Sequence, residues 1–376
     1  MKPSLNVLSL TRSLLAFDTV NPPGKERACA EFLGKLLEDG GFETDFYEFG
    51  GGRTNLVARL KGIDDTLPIC FTGHIDTIPL GAIPWTKDPL KGEIEGDRLY
   101  GRGTSDMKGG VAAMVMAGLR IAELSKPKAG MTLVITAGEE TGCEGACFLA
   151  AHESALGKAG AMVVGEPTSN SPIVAHKGAL WIEARATGTA AHGSMPEKGD
   201  NAIYKAAQAV TKLQNFNFEL APHALLGSPT INVGTIKGGV NINSVPDQAV
   251  IGIDIRTIPA QNNKRVYDEL KRYLGHEFEL DRLVDVGGVA TDPENDWVQG
   301  VFEIMEPFLK ERPVARGVTY FTDASVLTPA LGNPPTIILG PGEAVMAHKT
   351  DEFCYISKIE EASAAYLEIA KKWCGL

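Results

Sequence analysis

Positive charge is in short supply: the chain carries 36 Lys and Arg against 47 Asp and Glu, a formal net charge of −11. Without a basic excess to neutralise phosphates, a nucleic-acid surface is excluded, and so is attraction to an anionic membrane. Long apolar runs are also missing, since no stretch approaches the roughly 20 residues that a membrane-spanning helix needs. The opening MKPSLNVLSLTRSLL reads as an amphipathic helix broken by Asn6, Thr11 and Arg12, not as the apolar core of a signal peptide. The expected compartment is therefore the cytoplasm. Cysteine is sparse. Cys29, Cys70, Cys143, Cys147, Cys354 and Cys374 contain no CxxC pair, and no His accompanies them at zinc-finger spacing. Free, mostly buried thiols are expected, with Cys143 and Cys147 four apart on a helix and able to face one another. Three signatures of other chemistry are absent: the GxSxG of serine hydrolases, the HExxH of single-zinc peptidases, and the GxxxxGK[ST] phosphate cradle.

At 376 residues the chain exceeds the ~250–300 at which a single core stops growing, so two domains are expected. Apolar runs at 55–60, 68–72, 131–136 and 161–165 alternate with helical stretches at 25–39 and 110–124, which predicts an α/β sheet covered on both faces. Near Lys177 the texture changes. WIEARATG alternates like a strand with one exposed face, a helix follows over 200–214, then two strands, and a helix near 262–274. From about Val289 the first texture returns, with a helix over 295–310, a strand at 336–339 and a closing helix at 356–373 whose stripe is Ile359, Ala362, Tyr366, Ile369 and Trp373. The reading is a discontinuous first domain, 1–177 and 289–376, interrupted by an α+β unit at 178–288.

Acids and histidines recur at one kind of place. His74 and Asp76 follow PICFTG, Glu139 and Glu140 follow MTLVITAG, Glu166 follows AMVVG, and His348 follows TIILGPGEAVMA; Asp106 lies in GRGTSDMKGG before a helix. In open α/β sheets ligands bind beyond the carboxyl ends of the strands, so these positions converge in principle. Two His and three carboxylates are donors that zinc accepts, and three carboxylates offset most of the charge of two divalent ions. Each residue also has a plain alternative. Asp106 would serve as a helix N-cap, Glu139-Glu140 as a solvated corner or a helix N-terminal pair, Glu166-Pro167 as the start of a turn, and each His as a satisfied loop residue. Taken singly the plain alternative is favoured; five such coincidences at strand ends weaken it.

At these residues the chain resembles the two-zinc deacylases and exopeptidases, a family that includes acetylornithine deacetylase, succinyl-diaminopimelate desuccinylase, aminoacylases and glutamate carboxypeptidases. GHIDTIP (73–79), LYGRGTSDMKGG (99–110), GEETG (138–142), GEPT (165–168), TAAHGSMPEKGDNA (189–202) and AHKTDEF (347–353) carry the resemblance, in this order and over nearly the whole chain. It implies a zinc-dependent exopeptidase-like catalytic domain with an inserted ferredoxin-like lid and dimerisation domain. It further implies two Zn²⁺ per chain, with Co²⁺ or Mn²⁺ as alternatives. His74, Asp106 and Glu166 would hold one ion and Asp106, Glu140 and His348 the other, with Asp106 bridging. Asp76 would orient His74, and Glu139 would be the general base in hydrolysis of the amide of an N-acyl amino acid. His192 would reach the active site of a partner in a homodimer and help hold the oxyanion, while Asn243 and Arg256 would bind the substrate carboxylate; an exposed strand His and a surface ion pair are the plain readings of His192 and Arg256. A metallo-exopeptidase acting on small peptides shares the same metal site and stays open. So does the role of Gly340-Pro341-Gly342, as pocket floor or as a simple turn.

Overall fold

The computed structural model describes residues 5–124, 127–152 and 154–376, which divide into two compact units. The first unit collects the chain up to Ala175 together with Ala290–Gly317 and Thr322–Leu376; the second comprises His176–Val289 and Val318–Phe321. Nothing in the composition marks the short return of residues 318–321 to the second unit.

The chain begins with α1 (Val7–Leu15) and α2 (Arg27–Asp39), then an antiparallel hairpin of β1 (Glu43–Gly50) and β2 (Arg53–Leu60), then β3 (Ile69–His74). Asn6 starts α1 where a break was expected. Its side chain accepts from the Ser9 amide at 2.8 Å and its own amide donates to the Ser9 hydroxyl oxygen at 3.1 Å, a capping box. Thr11 lies inside the helix, its hydroxyl donating to the Val7 carbonyl at 2.8 Å. After α3 (Gly109–Glu123) come β4 (Met131–Thr136), α4 (Glu144–Ala150) and β5 (Ala161–Val164). Cys143 sits just before α4 with φ 60° and is buried, whereas Cys147 on the helix is exposed; the two do not share a face as their spacing suggested.

The second unit runs β6 (Gly178–Thr187), α5 (Ala202–Leu213), β7 (Thr230–Gly238), β8 (Gln248–Thr257), α6 (Asn263–Leu274) and β9 (Phe278–Val286). Its antiparallel sheet has the order β7-β8-β6-β9, which with this βαββαβ sequence is the ferredoxin-like arrangement. Alternate residues Leu180, Ile182, Ala184 and Ala186 and Ala249, Ile251, Ile253 and Ile255 are buried in one core with Ala202, Ala206, Ala209, Val266 and Leu270 from the two helices. The period of two along the strands and of about 3.6 along the helices puts every one of them on the inner face.

Back in the first unit, the chain adds α7 (Asp296–Leu309), α8 (Ala324–Ala330), β10 (Thr336–Ile338) and α9 (Ile356–Cys374). The six-stranded sheet has the order β1-β2-β4-β3-β5-β10, and β4, β3, β5 and β10 are parallel. All four parallel strands are buried along their whole length, as expected of strands covered on both faces. Their carboxyl ends therefore open on one rim. Lys108, fully buried before α3, donates to the carbonyls of Leu14 and Phe17 at 3.0 and 2.9 Å, satisfying the end of α1. Among the described residues, no helix is long and apolar enough to cross a membrane.

Candidate metal centre

Strand register assembles the rim. Thr72 of β3 pairs with Val164 of β5, so His74 and Glu166, each two residues further on, come level. His74 itself pairs with Thr136 of β4, and the Glu139-Glu140 turn leaves that strand three residues later. Gly138 takes φ 77°, a left-handed conformation that a glycine adopts without strain, and the Glu139 carbonyl then accepts from Gly142 and Cys143 to close the turn. The glycines of Gly340-Pro341-Gly342 serve close approach. A Cβ on Gly340 would lie 2.1 Å from the Gly165 carbonyl oxygen, and one on Gly342 would lie 2.2 Å from that of Ser105. The loop after β10 thus packs directly against the segments that carry Glu166 and Asp106.

The side chains meet around Asp106. Its Oδ1 lies 3.1 Å from His74 Nε2 and its Oδ2 lies 3.6 Å from His348 Nε2. Glu166 Oε1 is 3.7 Å from His74 Nε2, and Glu140 Oε2 is 3.1 Å from His348 Nε2. One acid therefore stands between two histidines, each with a second acid beside it. Asp106 has non-helical backbone angles, φ −126° and ψ 94°, and does not cap the following helix. Glu139 is 7% exposed and packs with His74 and Glu166, their donor atoms within 4.8 Å of one another; His74, Asp106 and Glu140 form a second such set. The solvated-corner reading of the glutamate pair does not hold.

Asp76 works from below. Its Oδ1 accepts the Glu139 amide at 3.2 Å, and its Oδ2 accepts the Glu140 amide at 3.3 Å and Asn21 Nδ2 at 2.9 Å. His74 Nδ1 is 3.0 Å from the Asp76 carbonyl oxygen and 3.4 Å from Oδ1. A proton on Nδ1 is thereby satisfied, which leaves the Nε2 lone pair, on the side of Asp106 and Glu166, able to ligate a metal. Asn21 also bonds the Thr141 hydroxyl at 3.0 Å. Sequence reasoning missed Asn21, along with Asp323, which accepts from Thr136 Oγ1 at 2.5 Å beneath the same rim, and Glu352, which accepts from the amides of the Asp106 loop. Glu352 and its partner Arg102 lay within motifs already singled out, but no local pattern distinguished them.

The electrostatics ask for a cation. Burial, then the negative Glu166, pushes Glu139 well above the usual carboxylate range; burial and Asp106 raise Glu140. Burial raises Glu166 strongly, with His74 opposing and Asp106 and Glu140 adding to the rise. Burial works against a charged His74, yet Asp106 and Asp76 outweigh it and hold its pKa well above the ordinary value. Among the described residues no Lys or Arg pairs with Asp76, Asp106, Glu139, Glu140 or Glu166. His74 and His348 are too few to balance these five buried carboxylates, and the uncompensated charge is costly. Imidazole and carboxylate donors converging in two sets are chemically suited to divalent metal, so the residues fit the ions that the motifs imply.

The remaining candidate residues lie in the second unit. His192 is exposed, its Nδ1 2.7 Å from Ser194 Oγ, and its two-residue strand pairs it with Ser244. The Gly193 amide donates to the Asn243 carbonyl at 2.7 Å, so His192 and Asn243 sit together. Arg256 is elsewhere, near the far end of β8. Its Nε pairs with Asp254 Oδ1 at 2.9 Å, and its guanidinium lies 5.8 and 5.6 Å from the ring centres of Trp181 and Phe321.

Residues 70–372 match peptidase family M20/M25/M40. A probable succinyl-diaminopimelate desuccinylase of Staphylococcus epidermidis is 32% identical, over 90% of this chain and 92% of that protein. An acetylornithine deacetylase of Proteus mirabilis is 31% identical, over 98% of this chain and 95% of that one. Among solved structures, an M20 family metallo-carboxypeptidase from Sulfolobus solfataricus superposes with a TM-score of 0.85 at 19% identity, covering 99% of this chain and 100% of that chain, which bears on the fold alone. Motifs, fold and sequence matches agree: the chain belongs to peptidase family M20/M25/M40 and is a hydrolase of amide bonds.

Proposed function

We propose that the chain removes the acyl group from an N-acyl amino acid of the acetylornithine or succinyl-diaminopimelate type, using two zinc ions. His74, Asp106 and Glu166 hold one ion, and Asp106, Glu140 and His348 hold the other. The observation that carries this reading is the placement of the two oxygens of Asp106 toward two different histidines, 3.1 and 3.6 Å away. When bound, such ions lower the pKa of water toward about 7 and draw charge from a carbonyl oxygen. Glu139, beside His74 and Glu166, takes the proton from the attacking water and returns it to the leaving amine. Asp76 holds both His74 and the amides of the glutamate pair, so ligand and base keep one geometry.

The acyl and amino-acid identity rests on the two curated relatives named above. A hydrolysis panel on zinc-loaded enzyme tests it: N-acetylornithine, N-succinyl-diaminopimelate, other N-acetyl amino acids, and dipeptides. Turnover of one N-acyl amino acid at a kcat/KM at least tenfold above every dipeptide is expected. Dipeptides turned over faster than all acylated substrates would overturn the deacylase reading in favour of an exopeptidase.

The second unit serves as a lid and dimerisation domain. His192 and Asn243 cluster before Gln248, whereas Arg256 is eight residues along β8, about 26 Å at ~3.3 Å per residue. One small substrate cannot touch both ends, so these residues serve a common substrate only when two copies contribute. β7 is an edge strand, and Ile236 on it with Val240 and Ile242 just after it are 51, 95 and 105% exposed, an apolar edge suited to a second copy. Sedimentation velocity should give a dimer, and Val240→Asp with Ile242→Asp should give monomer; a monomeric unaltered protein would refute the assignment. Six free cysteines fit a reducing cytoplasm, and recovery of the protein outside the cytoplasm on cell fractionation would contradict that location.

A further inference from the structure

We propose that Glu352 is a positioning residue that sets the Asp106 loop before any metal arrives. The proposal rests on the metal reading above and assigns work to a residue that reading does not use. Glu352 is fully buried. Its Oε1 accepts from the backbone amides of Ser105 at 2.8 Å and Asp106 at 3.1 Å. Its Oε2 accepts from the Gly103 amide at 3.0 Å and from Arg102 Nη1 at 2.7 Å. Four donors converge on two oxygens, and among natural side chains only a carboxylate is acceptor-only at both.

Other bonds join the same two segments. The Gly101 amide donates to the Glu352 carbonyl at 2.9 Å, Ser105 Oγ donates to the Phe353 carbonyl at 2.7 Å, and Arg102 Nη1 reaches the Lys349 carbonyl at 3.2 Å. Phe353–Tyr355 then pairs as a strand with Arg98–Tyr100. Glu352 stands four residues after His348, so one buried carboxylate ties the loop of the shared acid to the segment of the second histidine. It touches neither donor atom. Its effect is to hold the Asp106 backbone in its extended, non-helical angles, which aims the two carboxylate oxygens at His74 and His348. Preset geometry removes an ordering cost from metal binding.

Glu352→Gln keeps size and shape but places an N–H against one of the donor pairs whichever way the amide turns. Zn²⁺ affinity measured against a competing chelator should fall about 10–100-fold, the range for a residue that orients metal ligands. The visible spectrum of the Co²⁺-loaded variant should change as well, which a loss of general stability alone does not cause. Folded Glu352→Gln with Zn²⁺ affinity within twofold of the unaltered protein overturns the proposal. Amide hydrogen exchange on the unaltered, metal-stripped chain decides the matter without any variant. Protection of the Gly103, Ser105 and Asp106 amides in the metal-stripped chain equal to that of the buried strand amides at 69–74 supports the role of Glu352, and free exchange of those three amides overturns it. Failure of the unaltered chain to bind Zn²⁺ sinks the reaction proposed above, while the exchange pattern, read without metal, still decides the role of Glu352.

Discussion

Glu139→Gln is expected to bind metal like the unaltered protein and to lose about 10²–10⁴-fold in kcat, roughly 3–5 kcal/mol of barrier. Glutamine matches glutamate in size but cannot take a proton, so the substitution separates base from ligand. The distinction matters because Glu139 lies within a donor set with His74 and Glu166. Metal content by elemental analysis and steady-state kinetics on the same preparation check it. Loss of an ion would make Glu139 a ligand, and retained turnover would remove it from the chemistry. A second consequence separates charge from catalysis. Burial and Glu166 disfavour the ionised Glu139 in the folded chain. Without metal, at neutral pH, the folded state carries that cost and the unfolded state does not, so metal-free Glu139→Gln should melt above the metal-free parent. A lower melting temperature would contradict the electrostatic picture.

Asp106→Ala should have the larger effect on metal. Both ions depend on this one side chain, whose oxygens face His74 at 3.1 Å and His348 at 3.6 Å. Its removal should weaken Zn²⁺ binding by more than about 100-fold, beyond the range for residues that merely orient ligands, and should abolish measurable turnover. It also relieves repulsion. Asp106 helps to raise both Glu140 and Glu166, so the metal-free variant should fold. Isothermal titration with Zn²⁺ gives the answer directly, and two ions still bound per chain at parental affinity would refute bridging.

Much of this site was legible because strand ends are legible. The runs ending at His74, Thr136 and Val164 are mostly apolar and buried at every position, without the alternation of a half-exposed strand, a pattern that strands covered on both faces sustain. Polar residues just beyond such runs must gather at one rim when the strands are parallel. β1 was missed because ETDFYEFG lies at the sheet edge and is partly exposed on both faces, so it has no apolar alternation to read. Residues 318–321 and the helix Ala324–Ala330 escaped for want of any periodic signal. Glu352 was invisible for another reason. Its partners are some 247 residues away in sequence, and a buried acid satisfied by amides looks, one residue at a time, like any acid in a loop. Arg256 is the converse case. The residue type suggested carboxylate binding, but only the register of β8 reveals its separation from His192 and Asn243 along the sheet.

Elemental analysis of the purified, active enzyme, taken with turnover before and after chelation, tests the central claim most directly. Two divalent ions per chain, activity lost on stripping and restored by Zn²⁺, is the result this account predicts. Full turnover from a chain free of metal would contradict it.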